Sequence, residues 1–284
     1  MYKHFSSGIG DIVPKQGDIN QPTDPVSALV AQLQASSKYG GTAESTLRDV
    51  ALQALHHYRG KAALKEARRK LHNIVADYLG DPDYEAAAAQ IAAVHNDSAA
   101  LRTVCAQIAE AHTSTRERLR LLDSFYPRLF ALTGVPDSIL DLACALNPVL
   151  IPFMGLPPTT RYEAYDLHRE RVGFLNRFFE VVHPAGRAFE GDILVDPPTQ
   201  QVDVVFIFKE VHRWEQRRSG SSRALLEALQ AHWVLVSLPA QNMTGRRDLS
   251  DSYRNLFHKV IAGKNWEVIE VHFEDEMVFC VHKT

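Results

Sequence analysis

The sequence has 284 residues, enough for one large or two modest hydrophobic cores, with 45% hydrophobic and 23% charged residues, as expected of a globular chain. No apolar run approaches the ~18 residues of a membrane span, and the opening Met1-Tyr2-Lys3-His4-Phe5-Ser6 has no apolar signal segment, so no membrane association and a cytoplasmic location are expected. A formal net charge of −3 excludes a uniformly basic nucleic-acid binder but leaves room for a local patch; Cys105, Cys144 and Cys280 form no C-x-x-C pair, so neither a disulfide framework nor a metal site is expected.

Residues 1–22 are rich in Gly, Ser, Pro, Asp and Gln without periodicity and read as a loose tail. From Pro25 to about Phe130 the pattern is helical, with Val26, Leu29, Val30 and Leu33, then Leu47, Val50, Leu52 and Leu55, at helix spacing. Asp81-Pro82-Asp83 breaks the chain before an alanine-rich helix from Tyr84 to about Val94, and a further helix runs from about Ala99 to Ala111. No strand signal precedes Ile139, so residues 23–132 read as one helical domain that ends at the break Thr133-Gly134-Val135-Pro136-Asp137.

Over 133–284 short apolar runs alternate with helices. Strands are predicted at Ile139–Leu142, Arg161–Asp166, Arg187–Glu190, Val202–Phe208, Trp233–Leu238, Trp266–Phe273 and Met277–His282. Helices are predicted at His168–Val182, Ser222–Ala231 and Leu249–Ile261. Strand–helix alternation closing on two adjacent strands implies an α/β fold: a mostly parallel sheet with an antiparallel hairpin at its edge. That seven-stranded, Rossmann-like plan is typical of S-adenosylmethionine-dependent methyltransferases.

The stretch Ser138 to Pro148 is the pivot of this plan. A buried strand ends in small residues, and Pro148 suits the first position of a helix. The fingerprint G-x-G-x-x-G is absent, since Ala143, Ala145 and Pro148 stand where glycines would be, which disfavours a pyrophosphate and leaves a phosphate-free adenosyl ligand or an ordinary strand and turn. Asp166 closes the second strand, where a carboxylate accepts from ribose hydroxyls or caps a helix; Asp192, after the third, is placed to face an adenine amine or to cap. Phe208-Lys209 closes the fourth strand in place of the acidic motif that amine-methylating enzymes use, which favours a ring nitrogen whose own lone pair attacks. In His112-Thr113-Ser114-Thr115-Arg116-Glu117-Arg118, Ser114 and Glu117 fit a capping box, and Arg118 is a candidate partner for a ligand carboxylate. Between Arg48 and His72 seven Lys/Arg face two acids, a concentration that suits phosphate contacts or a solvated helix face.

Taken together, His112-Thr113-Ser114-Thr115-Arg116-Glu117-Arg118-Leu119, Leu140-Asp141-Leu142-Ala143-Cys144-Ala145-Leu146-Asn147-Pro148, Ser37-Lys38-Tyr39, Thr46-Leu47-Arg48, Arg69-Lys70-Leu71-His72, Phe208-Lys209 and Gly245-Arg246 resemble the aminoglycoside-resistance 16S ribosomal RNA methyltransferases, which methylate guanine N7 in the decoding site. The resemblance implies a helical RNA-binding domain before the methyltransferase domain, S-adenosylmethionine as cofactor, and the assembled 30S subunit as substrate, approached by a monomer. It implies a cofactor pocket of His112, Ser114, Arg118, Asp141, Ala143, Ala145, Asn147, Asp166, Leu167, Asp192, Ile193 and Phe208. Phe208 and Lys209 would stand nearest the reaction, and Arg48, Lys65, Arg68, Arg69 and Arg246 would touch RNA. The sequence departs from the family in the loop Ser237 to Arg246, where Gln241 replaces a cation, and in Val211-His212-Arg213-Trp214, which replaces a more apolar segment. A homologue that binds RNA and cofactor but methylates another position, or none, is the alternative that these departures raise.

Overall fold

The computed structural model describes residues 24–75, 81–240 and 249–283. The tail 1–22, Arg246 and most of the altered loop, Gln241 included, lie outside the described residues.

Helices α1 (Pro25–Gln34), α2 (Glu44–His57) and α3 (Gly60–Val75) precede α4 (Tyr84–Val94), α5 (Ser98–Glu110), α6 (Thr113–Arg118) and α7 (Leu122–Thr133). Asp24, Asp83 and Asp97 each accept two backbone N–H groups at the first turn of α1, α4 and α5, which fixes where those helices begin. Gly134, at φ +74°, ends α7 in a conformation that glycine alone adopts cheaply. The remaining elements are β1 (Ser138–Leu142), α8 (Ile151–Met154), β2 (Arg161–Asp166), α9 (Arg169–Val182), β3 (Gly186–Glu190), β4 (Gln201–Phe208), α10 (Val211–Arg217), α11 (Ser221–Ala228), β5 (Gln230–Pro239), α12 (Ser250–Ile261), β6 (Glu267–His272) and β7 (Glu276–His282).

The seven strands form one sheet in the order β3-β2-β1-β4-β5-β7-β6, parallel except where β7 pairs antiparallel with both β5 and β6. The expected plan is present, with the last strand inserted inside the edge. Three differences from the sequence reading stand out. Helix α10 follows Lys209 where no element was predicted, because its seven residues are too few to show a period. The capping box does not form: Glu117 instead accepts from Lys209, and Ser114 Oγ lies 2.9 Å from His112 Nδ1. The line of packing falls inside the helical region. Helices α1–α3 enclose a core of their own around Leu33, Leu47, Ala67 and Leu71. Helices α4, α5 and α7 share one core with α9 and a face of the sheet, through Ile91, Cys105, Phe125, Leu129, Phe178 and Phe206. The other face is covered by α10, α11 and α12, through Trp214, Leu225, Phe257 and Val260.

The α1–α3 unit is fastened at the C-terminal ends of β2 and β3. Thr42 bridges to His168, Ala43 N–H donates to Leu167 O at 2.8 Å, and Arg169 N–H donates to Gly41 O at 2.9 Å. Strand C-terminal ends at a switch in strand order are where open α/β sheets bind ligands.

Candidate functional site

The turn after β1 holds Ala143 at φ +52° and Ala145 at φ +48°, so the chain takes glycine's backbone path with alanine side chains. A third left-handed residue, Lys209 at φ +63°, lies at the end of the neighbouring strand β4. Such strain, about 1–2 kcal/mol per residue, collects at functional sites. The turn's N–H groups are engaged: Ala145 N–H donates to Asp166 Oδ2 at 3.0 Å, and Cys144 N–H to Tyr165 O at 3.0 Å.

Beside this turn lies a cavity of about 470 Å³, walled by Ala143, Asp166, Leu167, Asp192 and Ile193 from the sheet, by Arg69, Lys70 and His72 to Val75 of α3, and by Arg213, Trp214 and Arg217 of α10. The two strand-end acids that line it, Asp166 and Asp192, are tied down by arginines. Asp166 accepts from Ala145 N–H, from His168 N–H at 2.8 Å and from Arg171 Nη1 at 3.0 and 3.1 Å; Arg171 Nη2 in turn donates to Asp81 at 2.6 Å. Asp192 accepts from Thr46 Oγ at 2.9 Å, from Leu194 N–H at 3.1 Å, and from Arg217 at 2.6 and 3.1 Å; Arg217 also donates to Asp49 at 3.0 Å. Each sheet acid thus shares one arginine with an acid of the helical region.

Arg118, Asp141, Asn147, Phe208 and Lys209 belong to a buried network behind the cavity, His112 and Ser114 pair with each other, and none of the seven lines the cavity wall. Arg118, 1% exposed, lies 4.4 Å from the rings of both Phe125 and Phe208 and donates to Asn147 Oδ1 and Glu276 Oε1, each at 2.7 Å. Asn147 Oδ1 also accepts from Tyr126 OH at 2.8 Å, while its Nδ2 donates to Asp141 Oδ2, which accepts from Tyr162 OH as well. Lys209 Nζ donates to Glu117 at 2.5 Å and stands 3.4 Å from Glu276. Burial works against ionisation of Glu276, yet Arg118 and Lys209 outweigh it and hold that carboxyl below the usual range. Asp141 bonds only to the neutral Asn147 and Tyr162 among the described residues, and burial pushes it up to about 7. His112 is pushed down to about 4, first by burial and then by Arg171.

On α3, Ala63, Ala67 and Leu71 face the small core while Lys61, Lys65, Arg68 and His72, four or three residues apart, form an exposed stripe. Arg69 is exposed but pairs with Glu66 at 2.7 Å, and Arg48 is exposed on α2. The stripe thus runs along α3 to His72, which also lines the cavity.

Comparison with known proteins bears directly on this arrangement. The family model for ribosomal RNA methyltransferase (FmrO) matches residues 35–280. The chain belongs to this family of S-adenosylmethionine-dependent ribosomal RNA methyltransferases. It is 31% identical over 275 residues to the 16S rRNA (guanine(1405)-N(7))-methyltransferase of Frankia casuarinae, covering 94% of this chain and 96% of that one. It is 27% identical to the enzyme of the same name from Proteus mirabilis, covering 91% and 97%. Among solved structures it superposes on the 16S rRNA methylase RmtB with a TM-score of 0.76 at 25% identity, over 91% of this chain and 98% of that one. It superposes equally well, at 27% identity and over 92% and 99%, on the 16S rRNA methyltransferase RmtF in complex with S-adenosylhomocysteine.

The residues present fit the family's cofactor. The cavity is of ligand size, carries an acid at the end of β2 and another after β3, and offers a poor phosphate cradle, since Ala143 and Ala145 carry side chains and the N–H groups of Cys144 and Ala145 are spent. Arg118 Nε is buried without a hydrogen-bond partner among the described residues, a donor left for an acceptor that the protein does not itself provide. Arg171, Arg217, Glu276, Asp49 and Asp81 are the members that sequence reasoning missed. Their partners lie 5 to 168 positions away, beyond any periodic signal, though an acid opening the apolar run from Glu276 to Val281 was visible as an anomaly.

Proposed function

We propose that this enzyme methylates N7 of a guanine in 16S RNA of the assembled 30S subunit, at the position for which its relatives are named, guanine 1405, and so confers resistance to kanamycin- and gentamicin-type aminoglycosides. The observation that carries the reading is α3, whose exposed stripe Lys61, Lys65 and Arg68 runs on to His72, where the same helix walls the acid-lined cavity. RNA held on that stripe is held beside the cofactor.

The cofactor is S-adenosylmethionine, which when bound supplies an electrophilic methyl group on a cationic sulfur. Asp166 and Asp192 would accept from the adenosyl part, with Ala143, Leu167 and Ile193 packed around it; Arg118, from behind the wall, would offer its unpartnered Nε–H to the carboxylate. Ala145 positions Asp166 through its amide. Phe208 fixes the Arg118 guanidinium by stacking, and His112, Ser114, Asp141 and Asn147 brace the wall behind it. Arg118 and Lys209 bring two positive charges to the place where a cation must bind, and Glu276 and Glu117 neutralise them. Guanine N7 carries its own lone pair, so positioning is the main task and no general base is required. Arg48, Lys65, Arg68, Arg69 and Arg246 contact RNA phosphates.

Radiolabelled S-adenosylmethionine, intact 30S subunits and naked 16S RNA test the proposal. Labelled RNA is cleaved with borohydride and aniline, which cut at N7-methylguanine. One cut, at guanine 1405, in assembled subunits only, is the expected result. Label elsewhere establishes the alternative reading, that of a family member with another target, for which the altered segment Val211 to Trp214 at the cavity wall is the specific motive. No label with cofactor bound sinks the proposal and leaves the alternative in its other form, a family member that binds cofactor without methylating.

A further inference from the structure

The cavity acid Asp192 is fully subscribed before any ligand arrives. An ionised carboxylate offers about four acceptor sites on two oxygens. Leu194 N–H and Arg217 Nη1 use Oδ1, and Arg217 Nη2 and Thr46 Oγ use Oδ2. The residue is 2% exposed, so no site is left to water. A ligand N–H or O–H that bonds Asp192 must take a place already held. Arg217 makes two charge-assisted bonds to the acid, while the Leu194 bond is a local turn. Thr46 makes one neutral bond across 146 positions of sequence. It is the weakest of these donors and the one carried by the α1–α3 unit.

Resting on the cofactor reading above, we propose that Thr46 is a built-in competitor for the cofactor's site on Asp192. Cofactor binding at Asp192 displaces the Thr46 hydroxyl and loosens the first turn of α2, the element that ties the basic helices to the sheet. The reverse holds by linkage: whatever draws α2 away from Asp192 strengthens the hold on cofactor by the same factor. RNA engaging the stripe on α3 is in a position to do so, because α2 and α3 share one core. Thr46 acts here as a positioning residue; it reaches the cofactor only through Asp192.

The test uses the full chain and S-adenosylhomocysteine as probe. Amide hydrogen exchange at residues 44–50 is expected to quicken severalfold when the probe saturates the protein. Helix α12, fastened to β6 by the Arg254–Glu270 pair, should not change. Thr46→Val removes the competing hydroxyl, so it should bind the probe about fivefold more tightly by calorimetry, the worth of one net hydrogen bond, and its exchange at 44–50 should no longer respond. Thr46→Ser, which keeps the hydroxyl, should behave as the parent and guards against a packing effect. Unchanged or slowed exchange at 44–50 on binding, or a Thr46→Val protein that binds no more tightly, overturns the proposal while the cofactor reading stands. Failure of the parent to bind the probe, or undiminished binding by Asp192→Asn, removes the cofactor reading and this proposal with it.

Discussion

At the scale of single residues, the alanines of the β1 turn and the buried acid of β7 carry the sharpest consequences. Ala145 has a Cβ where the backbone sits at φ +48°, so Ala145→Gly should hold or raise stability, the relief of strain offsetting glycine's greater unfolded-state entropy. Ala145→Val should lower it by more than about 1 kcal/mol, because a β-branched residue tolerates that region worst. Thermal unfolding of the two variants checks the order. Glu276 is the carboxylate that touches Arg118 among the described residues. Glu276→Gln leaves Arg118 buried without its counter-charge and should cost about 3–5 kcal/mol, the usual penalty for stranding one member of a buried pair. Chemical denaturation measures it, and a cost below about 1 kcal/mol would show that the pair is incidental.

At the scale of elements, α3 is where packing and function divide one helix. Arg68→Ala and Lys65→Ala remove exposed cations that support no core, so stability should be unchanged while 30S binding weakens. The slope of log affinity against log salt should also fall by about one unit for each phosphate that is no longer neutralised. A binding series from low to high salt reads this directly, and an unchanged slope would remove α3 from the RNA interface. The strands of the sheet domain and its longer helices were legible in the sequence because each keeps an apolar run or a helical period. Helix α10 was not, being short, and neither were the partners of its Arg217. Charge pairs made across 25 to 168 positions leave no trace in local pattern. Asp166 and Asp192 were legible as cavity residues from their places at strand ends, and Leu167 and Ile193 only through the family resemblance, whereas Arg118 was legible as a charge but not as one half of a pair whose other half is Glu276. The split between α1–α3 and α4–α7 was hidden because both halves are amphipathic helices, and periodicity reports that a face is buried without saying against what.

At the scale of the whole molecule, two buried groups set opposing pH dependences. Asp141, pushed from 3.8 up to about 7, keeps its proton in the folded state where the unfolded chain has shed it, so stability falls as pH rises across roughly 4 to 7. His112, pushed from 6.5 down to about 4, is neutral when folded and charged when unfolded, so stability rises with pH across nearly the same window. The two should nearly cancel, giving a flat profile between about pH 4 and 6.5. Asp141→Asn removes one arm and should leave stability climbing with pH over that range; a profile as flat as the parent's would contradict these protonation states. The place of β7 has a consequence in time as well as in space. It follows β6 in the chain yet lies between β5 and β6, and it brings the carboxylate that Arg118 requires, 158 residues after that arginine. A nascent chain that has not yet made β7 has no attachment for β6 and a bare guanidinium behind the proposed cofactor pocket. Competence to bind cofactor is therefore a late, long-range event in folding, and a ribosome cannot be modified by an enzyme molecule whose β7 it has still to translate.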